Sequence, residues 1–443
     1  MTPTHALPTV VIGAGPIGLA AAAELLQRGQ DVVVLESGSA PAAAVRSWGH
    51  VRLFSPWSEV ISPAAERLLS RSGWTSPAQD TYPTGHQWAD LYLDPLAEAL
   101  GERVRCGHRV IGVAKHDRDL VVDDQRDDQP FVVTVAVSSG PGGEVGHSYR
   151  QEAAAVIDAS GTKGMPNPLA ADGYPATGEV TLARHLHYGT PDPRAMPRRY
   201  ADRAVAVVGS GASALTSLLA LTSSTLREGG HAPSRVVWVV RRGEVGDAFG
   251  GGSADELPQR GALGTAVHQG VEQGRIEVVT GFRTSAIERS GHGVALASSD
   301  DRTIDRLDEV IVATGYRPDL SLLSEARLDL DPRLQAPRRL APSIDPNRHS
   351  CGSVAPHGYD VLQQGDPGLF LAGMKSYGRA SSFLAMVGFE QVRSIAAAID
   401  GDLASAAAVE LTLPDTGVCG GAGVFDQAPE VDERALAQGC CSA

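Results

Sequence analysis

Two glycine-rich turns lie about two hundred residues apart in this chain, and each follows an apolar run typical of a buried parallel strand. The first turn, residues 13–18 (GAGPIG), follows TVVI at 9–12. The second, residues 209–214 (GSGASA), follows AVAVV at 204–208. A strand, a glycine turn and a helix in this order cradle a pyrophosphate, because the helix N-terminus presents open N–H groups. The pattern predicts two dinucleotide sites in one chain.

The first turn has the residue types that an unphosphorylated adenosine requires. Gly13 permits the tight turn, Gly15 lets the backbone approach the pyrophosphate, and Gly18 lets the helix pack closely on the strand. Glu36 ends the next apolar run, VVVL at 32–35. A carboxylate there bonds the ribose hydroxyls and repels a 2′-phosphate, so we expect FAD or NAD at this site.

The second turn differs at the end of its second strand. Ala214 takes the place of the third glycine, and the run VVWVV at 236–240 ends in Arg241 and Arg242 rather than in an acid. Guanidinium groups match a 2′-phosphate through bidentate, charge-assisted hydrogen bonds, which predicts NADPH at this site. The alternative is that one or both arginines are solvated charges at a strand end.

Length, composition and charge exclude several classes of protein. The 443 residues allow two to three domains, and 42% apolar with 20% charged residues is ordinary for a globular protein. The formal charge of −14 argues against a nucleic-acid or anionic-membrane partner. No run approaches the ~20 apolar residues of a membrane span, and the first strand begins too early to leave room for a signal peptide. We therefore expect a cytoplasmic protein, either a monomer or a homodimer.

Further motifs resemble those of flavin-dependent monooxygenases and of their pyridine-nucleotide oxidoreductase relatives. Residues 158–161 (DASG) and 313–318 (ATGYRP) are similar to the two turns that connect the flavin and nucleotide domains of that family. Trp48 with residues 52–56 (RLFSP) resembles the loop beside the flavin ring in that family. Residues 82–84 (YPT) resemble the family's Pro-Thr element, which precedes a helix. The resemblance covers most of the chain and implies FAD at the first turn and NADPH at the second.

The resemblance also implies which residues hold each cofactor. Those expected at FAD are Gly13, Gly15, Pro16, Ile17, Gly18, Glu36, Ser37, Arg46, Trp48, Val110, Ala159, Ser160, Gly161, Gly373 and Met374. Those expected at NADPH are Gly209, Ser210, Gly211, Ser213, Ala214, Arg241 and Arg242.

The expected fold is α/β, with two Rossmann-like dinucleotide-binding domains and a small β-meander in residues 109–150. The FAD domain is discontinuous, over residues 1–165 and 318–443, and the NADPH domain is inserted over 166–317. Residues 405–443 are expected to form a flexible tail that carries cysteines.

The sequence departs from the motifs of both main branches of the family. The monooxygenase motif between the domains survives only loosely, as residues 186–188 (LHY). Disulfide reductases of the usual form need a Cys-x-x-Cys or Cys-x4-Cys pair, and the chain has neither. Met374 follows Gly373 where the disulfide reductase branch has an aspartate. The sequence alone therefore leaves monooxygenase and reductase chemistry open.

A narrower resemblance is to bacterial flavoproteins encoded beside arsenic-resistance genes. It depends on residues 48–57 (WGHVRLFSPW), residues 373–379 (GMKSYGR) and the cysteine-rich end. It implies a monooxygenase that uses NADPH and molecular oxygen on a soft nucleophile such as a trivalent arsenical. Two alternatives stay open: a flavin reductase of a metal, metalloid or disulfide, and a flavoprotein that binds a metalloid through its thiols.

Four residues are candidates for the chemistry itself. His187 and Tyr188 are expected along the passage of the nicotinamide. Lys375 is expected beside the pyrimidine edge of the flavin, where a cation stabilises the reduced form, unless it is a surface charge. Cys351 is a candidate reactive thiol, because His349 and His357 lie near it in the sequence and an imidazolium lowers the pKa of a neighbouring thiol. The alternative is that these two histidines are simple polar groups of a loop.

The last residues carry a separate candidate site. Cys419, Cys440 and Cys441 lie within the final 25 residues, and thiolates favour soft metals and metalloids. These three thiols are expected to bind a trivalent arsenical or to deliver it to the flavin. The alternative is a tail whose thiols have no specific role.

Overall fold

The computed structural model describes residues 7–138, 145–252, 255, 257–348, 354, 356–380, 383–409 and 411. The described strands are β1 (Thr9–Ile12), β2 (Val32–Glu36), β3 (Val104–Cys106), β4 (His108–Lys115), β5 (Phe131–Ser138), β6 (Val145–Ala153), β7 (Ala155–Asp158), β8 (Leu186–Tyr188), β9 (Ala204–Val208), β10 (Arg235–Val239), β11 (Glu277–Val279), β12 (Thr284–Ser290), β13 (Gly293–Ser298), β14 (Thr303–Leu307), β15 (Glu309–Val312) and β16 (Leu369–Leu371). The described α-helices are α1 (Pro16–Gln27), α2 (Ala43–Arg46), α3 (Trp57–Val60), α4 (Pro63–Ser70), α5 (Gly85–Trp88), α6 (Asp94–Leu100), α7 (Pro197–Tyr200), α8 (Ala212–Leu221), α9 (Ser224–Glu228), α10 (Pro258–Glu272), α11 (Ala341–Ile344), α12 (Tyr359–Leu362), α13 (Met374–Tyr377), α14 (Ala385–Ile399) and α15 (Leu403–Ala407).

The first sheet has five parallel strands in the order β16-β7-β1-β2-β3. Its central strand β1 is buried throughout, as the apolar run at its start predicts. Helix α1 follows β1 and packs against α14, so that both helices cover the same core. Strand β16 comes from the far end of the chain and pairs with β7. The first and the last described strands therefore belong to one sheet.

The second sheet has five parallel strands in the order β11-β10-β9-β15-β8. All of them lie between β7 and β16 in the chain, so this unit is inserted into the first. The predicted α/β class with two Rossmann-like units is confirmed. The exact division at 165/166 and 317/318 stays a prediction, which this strand order supports.

Two small antiparallel sheets accompany the parallel ones. The meander β4-β5-β6 lies where the sequence predicts it, and a second meander, β12-β13-β14, was not predicted. The glycine-rich stretch between β10 and β11 contains the 15-residue helix α10 over residues 258–272, which was not among the elements predicted from the sequence. A Cβ at Gly264 would lie 1.7 Å from the carbonyl oxygen of Phe249, so this glycine permits close packing of α10 on the preceding loop.

Residues 405–409 are ordered against the FAD-side helices rather than part of the flexible tail that was predicted from residue 405 onward. Helix α15 packs against α14, Ala406 is buried, and Ser394 Oγ donates to the Ala406 carbonyl oxygen at 2.6 Å. Residues 412–443 lie outside the described residues. Within the described ranges, no helix is long and apolar enough to cross a membrane.

Candidate functional site

One cleft of about 1720 Å³ extends from the first glycine turn to the second. A pocket for a single drug-sized ligand occupies roughly 300–1,000 Å³, so this cleft has room for more than one. At its first end it is lined by the predicted residues Gly13, Gly15, Pro16, Ile17, Glu36, Ser37, Trp48, Val110, Ala159, Ser160, Gly161, Gly373 and Met374. At its second end it is lined by Gly209, Ser210, Gly211, Ser213, Arg241 and Arg242. The fold thus brings the two predicted cofactor sets to one cavity.

The glycines of the first turn meet different surroundings. A Cβ at Gly18 would lie 1.9 Å from the Gly13 carbonyl oxygen, and Gly13 itself has a φ of +98° beside Ala159. A Cβ at Gly15 would meet nothing described within 4 Å. Gly15 is also the N-cap of α1. Because glycine has no side chain, no side-chain oxygen caps the N–H groups of the first turn of that helix. The backbone conformation and packing of the protein itself therefore require glycine at positions 13 and 18. Gly15, in contrast, leaves the helix N-terminus open to a phosphate.

Glu36 lies at the carboxyl end of β2, where the ribose of a dinucleotide binds in this fold. Its Oε2 accepts from the Ala14 N–H at 2.8 Å and its Oε1 accepts from the Gly38 N–H at 2.6 Å. These bonds fix a buried carboxylate at the wall of the cleft. Because a carboxylate has about four lone-pair positions, it retains acceptors for ribose hydroxyls.

The second turn repeats this geometry. Gly209 has a φ of +133°, and its Cβ would lie 2.2 Å from the Ala313 carbonyl oxygen. Gly211 is the N-cap of α8 without a side-chain bond, and a Cβ there would meet no described atom within 4 Å. Ala214 is fully buried in the core between this sheet and its helices. The open position thus falls at the same place in both turns.

The two segments that connect the sheets are bound to each other at the middle of the cleft. Thr314 Oγ1 donates to the Asn167 carbonyl oxygen at 2.8 Å, and Arg317 Nε donates to Asn167 Oδ1 at 3.0 Å. Lys163 Nζ donates to Tyr316 Oη at 2.6 Å. Sequence reasoning identified the ATGYRP turn but missed Lys163 and Asn167, whose signal is their place directly after the DASG turn.

Comparison with known proteins assigns the chain to a family. Residues 7–365 match the model of the pyridine nucleotide-disulphide oxidoreductase family. The chain belongs to this family. It is therefore an FAD- and NAD(P)H-dependent oxidoreductase, and the open glycine positions and the helix N-termini of the cleft fit both dinucleotides.

Solved structures of known proteins share this fold. Bacillithiol disulfide reductase from Bacillus cereus is 22% identical with a TM-score of 0.63, over 90% of this chain and 99% of that one. A variant flavin monooxygenase from Stenotrophomonas maltophilia is 20% identical with a TM-score of 0.58, over 89% and 98%. Thioredoxin reductase from T. acidophilum is 14% identical with a TM-score of 0.53, over 89% and 97%. No curated protein matches the sequence significantly.

Lys375 is not a surface charge, and it does not line the cleft, so its predicted role beside the flavin stays a prediction. Its side chain is fully buried, and Nζ lies 3.0 Å from Asp158 Oδ2, which is also fully buried. Nζ also donates to Ser160 Oγ at 3.0 Å and to the Asp319 carbonyl oxygen at 2.6 Å. The ammonium therefore joins three segments of the oxidoreductase fold. The exposed residue of this loop that lines the cleft is Arg379.

Arg46 also lies apart from the predicted FAD contacts. Its guanidinium pairs with Asp90 at 2.6 Å and with Asp94, and these hydrogen bonds raise the pKa of Arg46. The two carboxylates direct the side chain to helix α6 and the turn before it. Of the two tryptophans in the 48–57 loop, Trp48 lines the cleft and Trp57 is buried in the core.

His187 and Tyr188 lie on β8, the edge strand of the second sheet, and the residue of this segment that lines the cleft is Thr190. Tyr188 Oη donates to Glu179, and burial raises the pKa of the Tyr188 hydroxyl. Burial, with Arg199 and Lys163 nearby, lowers the pKa of His187 and keeps its imidazole neutral. The contact of His187 and Tyr188 with the nicotinamide stays a prediction.

The cysteine predictions fall mainly beyond the part of the chain that the structure describes. Cys351, Cys419, Cys440 and Cys441 are all outside it. Cys106 is the described cysteine, and burial raises the pKa of its thiol, with Glu36 and Asp94 adding to the effect. Among the described residues, no group of three or more His, Cys, Asp and Glu side chains could hold a metal ion.

Proposed function

We propose that this protein is an NADPH-dependent flavin monooxygenase that transfers oxygen to a soft nucleophile such as a trivalent arsenical. The observation that carries the proposal is the single cleft with chemically unequal ends. Glu36 makes the first end unfavourable for a 2′-phosphate, while Arg241 and Arg242 make the second end favourable for one. The first end would thus hold FAD and the second end NADPH, the source of its electrons.

The residues of the cleft hold and orient the two cofactors in this proposal. Gly15 and the N-terminus of α1 bind the FAD phosphates, and Glu36 binds its ribose. Gly211 and the N-terminus of α8 bind the phosphates of NADPH. Bound FAD supplies the two-electron redox chemistry, and the protein supplies binding, orientation and electrostatics.

The thiol chemistry of disulfide reductases has little support in this chain. The sequence lacks both usual spacings of a redox-active cysteine pair. Cys106 does not line the cleft, and its raised pKa keeps the thiol protonated and weakly nucleophilic. Molecular oxygen is the oxidant that the proposal names. The balanced reaction consumes NADPH, a proton, O₂ and the substrate, and it yields NADP⁺, water and the oxygenated substrate.

Coupled turnover tests this proposal. With trivalent arsenicals, thioethers and amines offered as substrates, we expect NADPH oxidation, O₂ uptake and oxygenated product to agree one to one for at least one of them. Peroxide release should fall as that substrate is added. The FAD-loaded protein is assayed in air and under anaerobic conditions. Sustained anaerobic turnover with a metal ion, a metalloid or a disulfide would instead establish a reductase.

The proposal also gives the terminal thiols a role in holding the arsenical before oxygen transfer. Soft thiolates bind trivalent arsenic, so Cys440→Ser/Cys441→Ser should lower the stoichiometry of arsenite bound per chain. Cys419→Ser should have the same effect if three thiols share one arsenic. Cys106→Ser is the matched control and should bind arsenite as the wild type does. Equal stoichiometry in all four proteins would refute a role for the tail.

A further inference from the structure

A buried ion pair at the second end of the cleft has no part in the function proposed above. Arg260 Nε donates to Asp255 Oδ2 at 2.8 Å, with side-chain exposures of 14% for Arg260 and 0% for Asp255. Asp255 also accepts from the Leu257 N–H at 2.9 Å and from the Gly251 N–H at 3.2 Å. Burial by itself would raise the pKa of Asp255, but these hydrogen bonds hold it below its usual range. The carboxylate is therefore charged and rigidly placed.

The pair leaves one edge of the guanidinium available. Nε is occupied by Asp255, whereas the two terminal nitrogens of Arg260 form no hydrogen bond or ion pair with the residues that the structure describes. Arg260 lines the cleft. An arginine fixed through Nε presents its two terminal N–H groups as a preorganised fork, which matches two oxygens of a phosphate.

The position of Arg260 in the fold indicates which phosphate this is. Arg241, Arg242 and Arg260 all lie on the connection from β10 to α10 or in the first turn of α10. In a Rossmann unit, the adenosine ribose lies at the end of the second strand, and here that strand is β10. Helix α10 has 15 residues and no acidic side chain in its first turn, so its positive end adds to the field at this place.

The loop before α10 is shaped around the pair. Gly250 has a φ of +70°, and a Cβ there would lie 2.9 Å from Asp255 Oδ2 and 3.8 Å from Arg260 Nε. A Cβ at Gly261 would lie 2.9 Å from Asp255 Cβ. Glycines at both positions thus permit the carboxylate to reach the arginine.

We propose that Arg260 is a third ligand of the 2′-phosphate of NADPH and that Asp255 is its positioning residue. The inference rests on the NADPH site proposed above and adds a determinant of coenzyme specificity from a different element. The pyrophosphate, which NADPH and NADH share, is the other phosphate that this fork could bind. Ligands with and without the 2′-phosphate distinguish the two.

The test is a binding titration of the FAD-loaded protein with 2′,5′-ADP and with 5′-AMP, which differ in the 2′-phosphate. We expect Arg260→Met to raise the Kd for 2′,5′-ADP by roughly 10- to 100-fold, the range for a hydrogen bond to a charged group, and to leave the Kd for 5′-AMP unchanged. Arg260→Lys should recover only part of the loss, because an ammonium lacks the fork. Arg306→Met is the control, since Arg306 is 89% exposed.

Asp255→Asn should produce a smaller loss that is equally selective for 2′,5′-ADP, because the fork is then less firmly held. A purely structural role would lower the affinity for both nucleotides together. Unchanged binding of 2′,5′-ADP by Arg260→Met, or an equal loss for both nucleotides, would overturn the inference. If the wild type binds 2′,5′-ADP no more tightly than 5′-AMP, the proposed NADPH site itself fails.

Discussion

The Gly15→Val variant is expected to purify as a folded protein that has lost its flavin. A Cβ at residue 15 meets no described atom within 4 Å, and the backbone there (φ −82°, ψ −175°) is one that valine adopts readily. The Cβ therefore meets no clash with the described protein, and the side chain enters the open space beside α1 where a ligand would lie. We expect at least a tenfold fall in bound flavin, measured from the visible absorbance per chain. Far-UV circular dichroism should stay unchanged.

Gly211→Val is the matched variant at the second turn. Its backbone (φ −86°, ψ 177°) and its open surroundings are nearly those of Gly15. It should keep the flavin and raise the KM for NADPH, so the two variants lose different cofactors. Flavin retained at wild-type level by Gly15→Val, or lost by Gly211→Val, would show that the cofactors are placed incorrectly.

Gly18→Ala should destabilise the fold rather than only block a ligand, because its Cβ would lie 1.9 Å from the Gly13 carbonyl oxygen. That variant should lose stability whether or not FAD is added. The three glycines of one motif thus separate into ligand contact and packing. The sequence alone predicts this division, since the spacing assigns each glycine its role.

Local patterns predicted the two parallel sheets and the first meander, and most of the residues predicted at the two cofactors line the cleft. They failed where contacts between residues far apart in the sequence determine the local structure. Helix α10 contains three glycines that weaken a helix by propensity, yet packing on the preceding loop stabilises it. The partners of Lys375 and of Arg46 lie far from them in the chain, and no periodicity indicates which carboxylate a cation meets. Arg260 was missed because its helix was not predicted.

Lys375→Met is expected to destabilise the protein by about 3–5 kcal/mol, the usual cost of leaving a buried charge without its partner. Asp158 and Lys375 are both fully buried at 3.0 Å, and the ammonium also bonds Ser160 and Asp319. Methionine fills a similar volume, so most of the loss comes from the charge. Denaturant unfolding of the FAD-loaded protein measures it. Arg306→Met, at a pair that is largely exposed, should change stability by no more than about 1 kcal/mol.

The double variant Lys375→Met/Asp158→Asn separates the ion pair from simple packing. Removing both charges should recover part of the stability, because no uncompensated charge is then buried. A role as the cation that stabilises reduced flavin makes a different prediction: Lys375→Met would lower the reduction potential of the flavin at unchanged stability. That outcome would support the position first expected for Lys375. A loss of stability that the double variant partly reverses, at an unchanged potential, would instead identify Lys375 as the residue that locks Ser160 and Asp319 at the wall of the cleft.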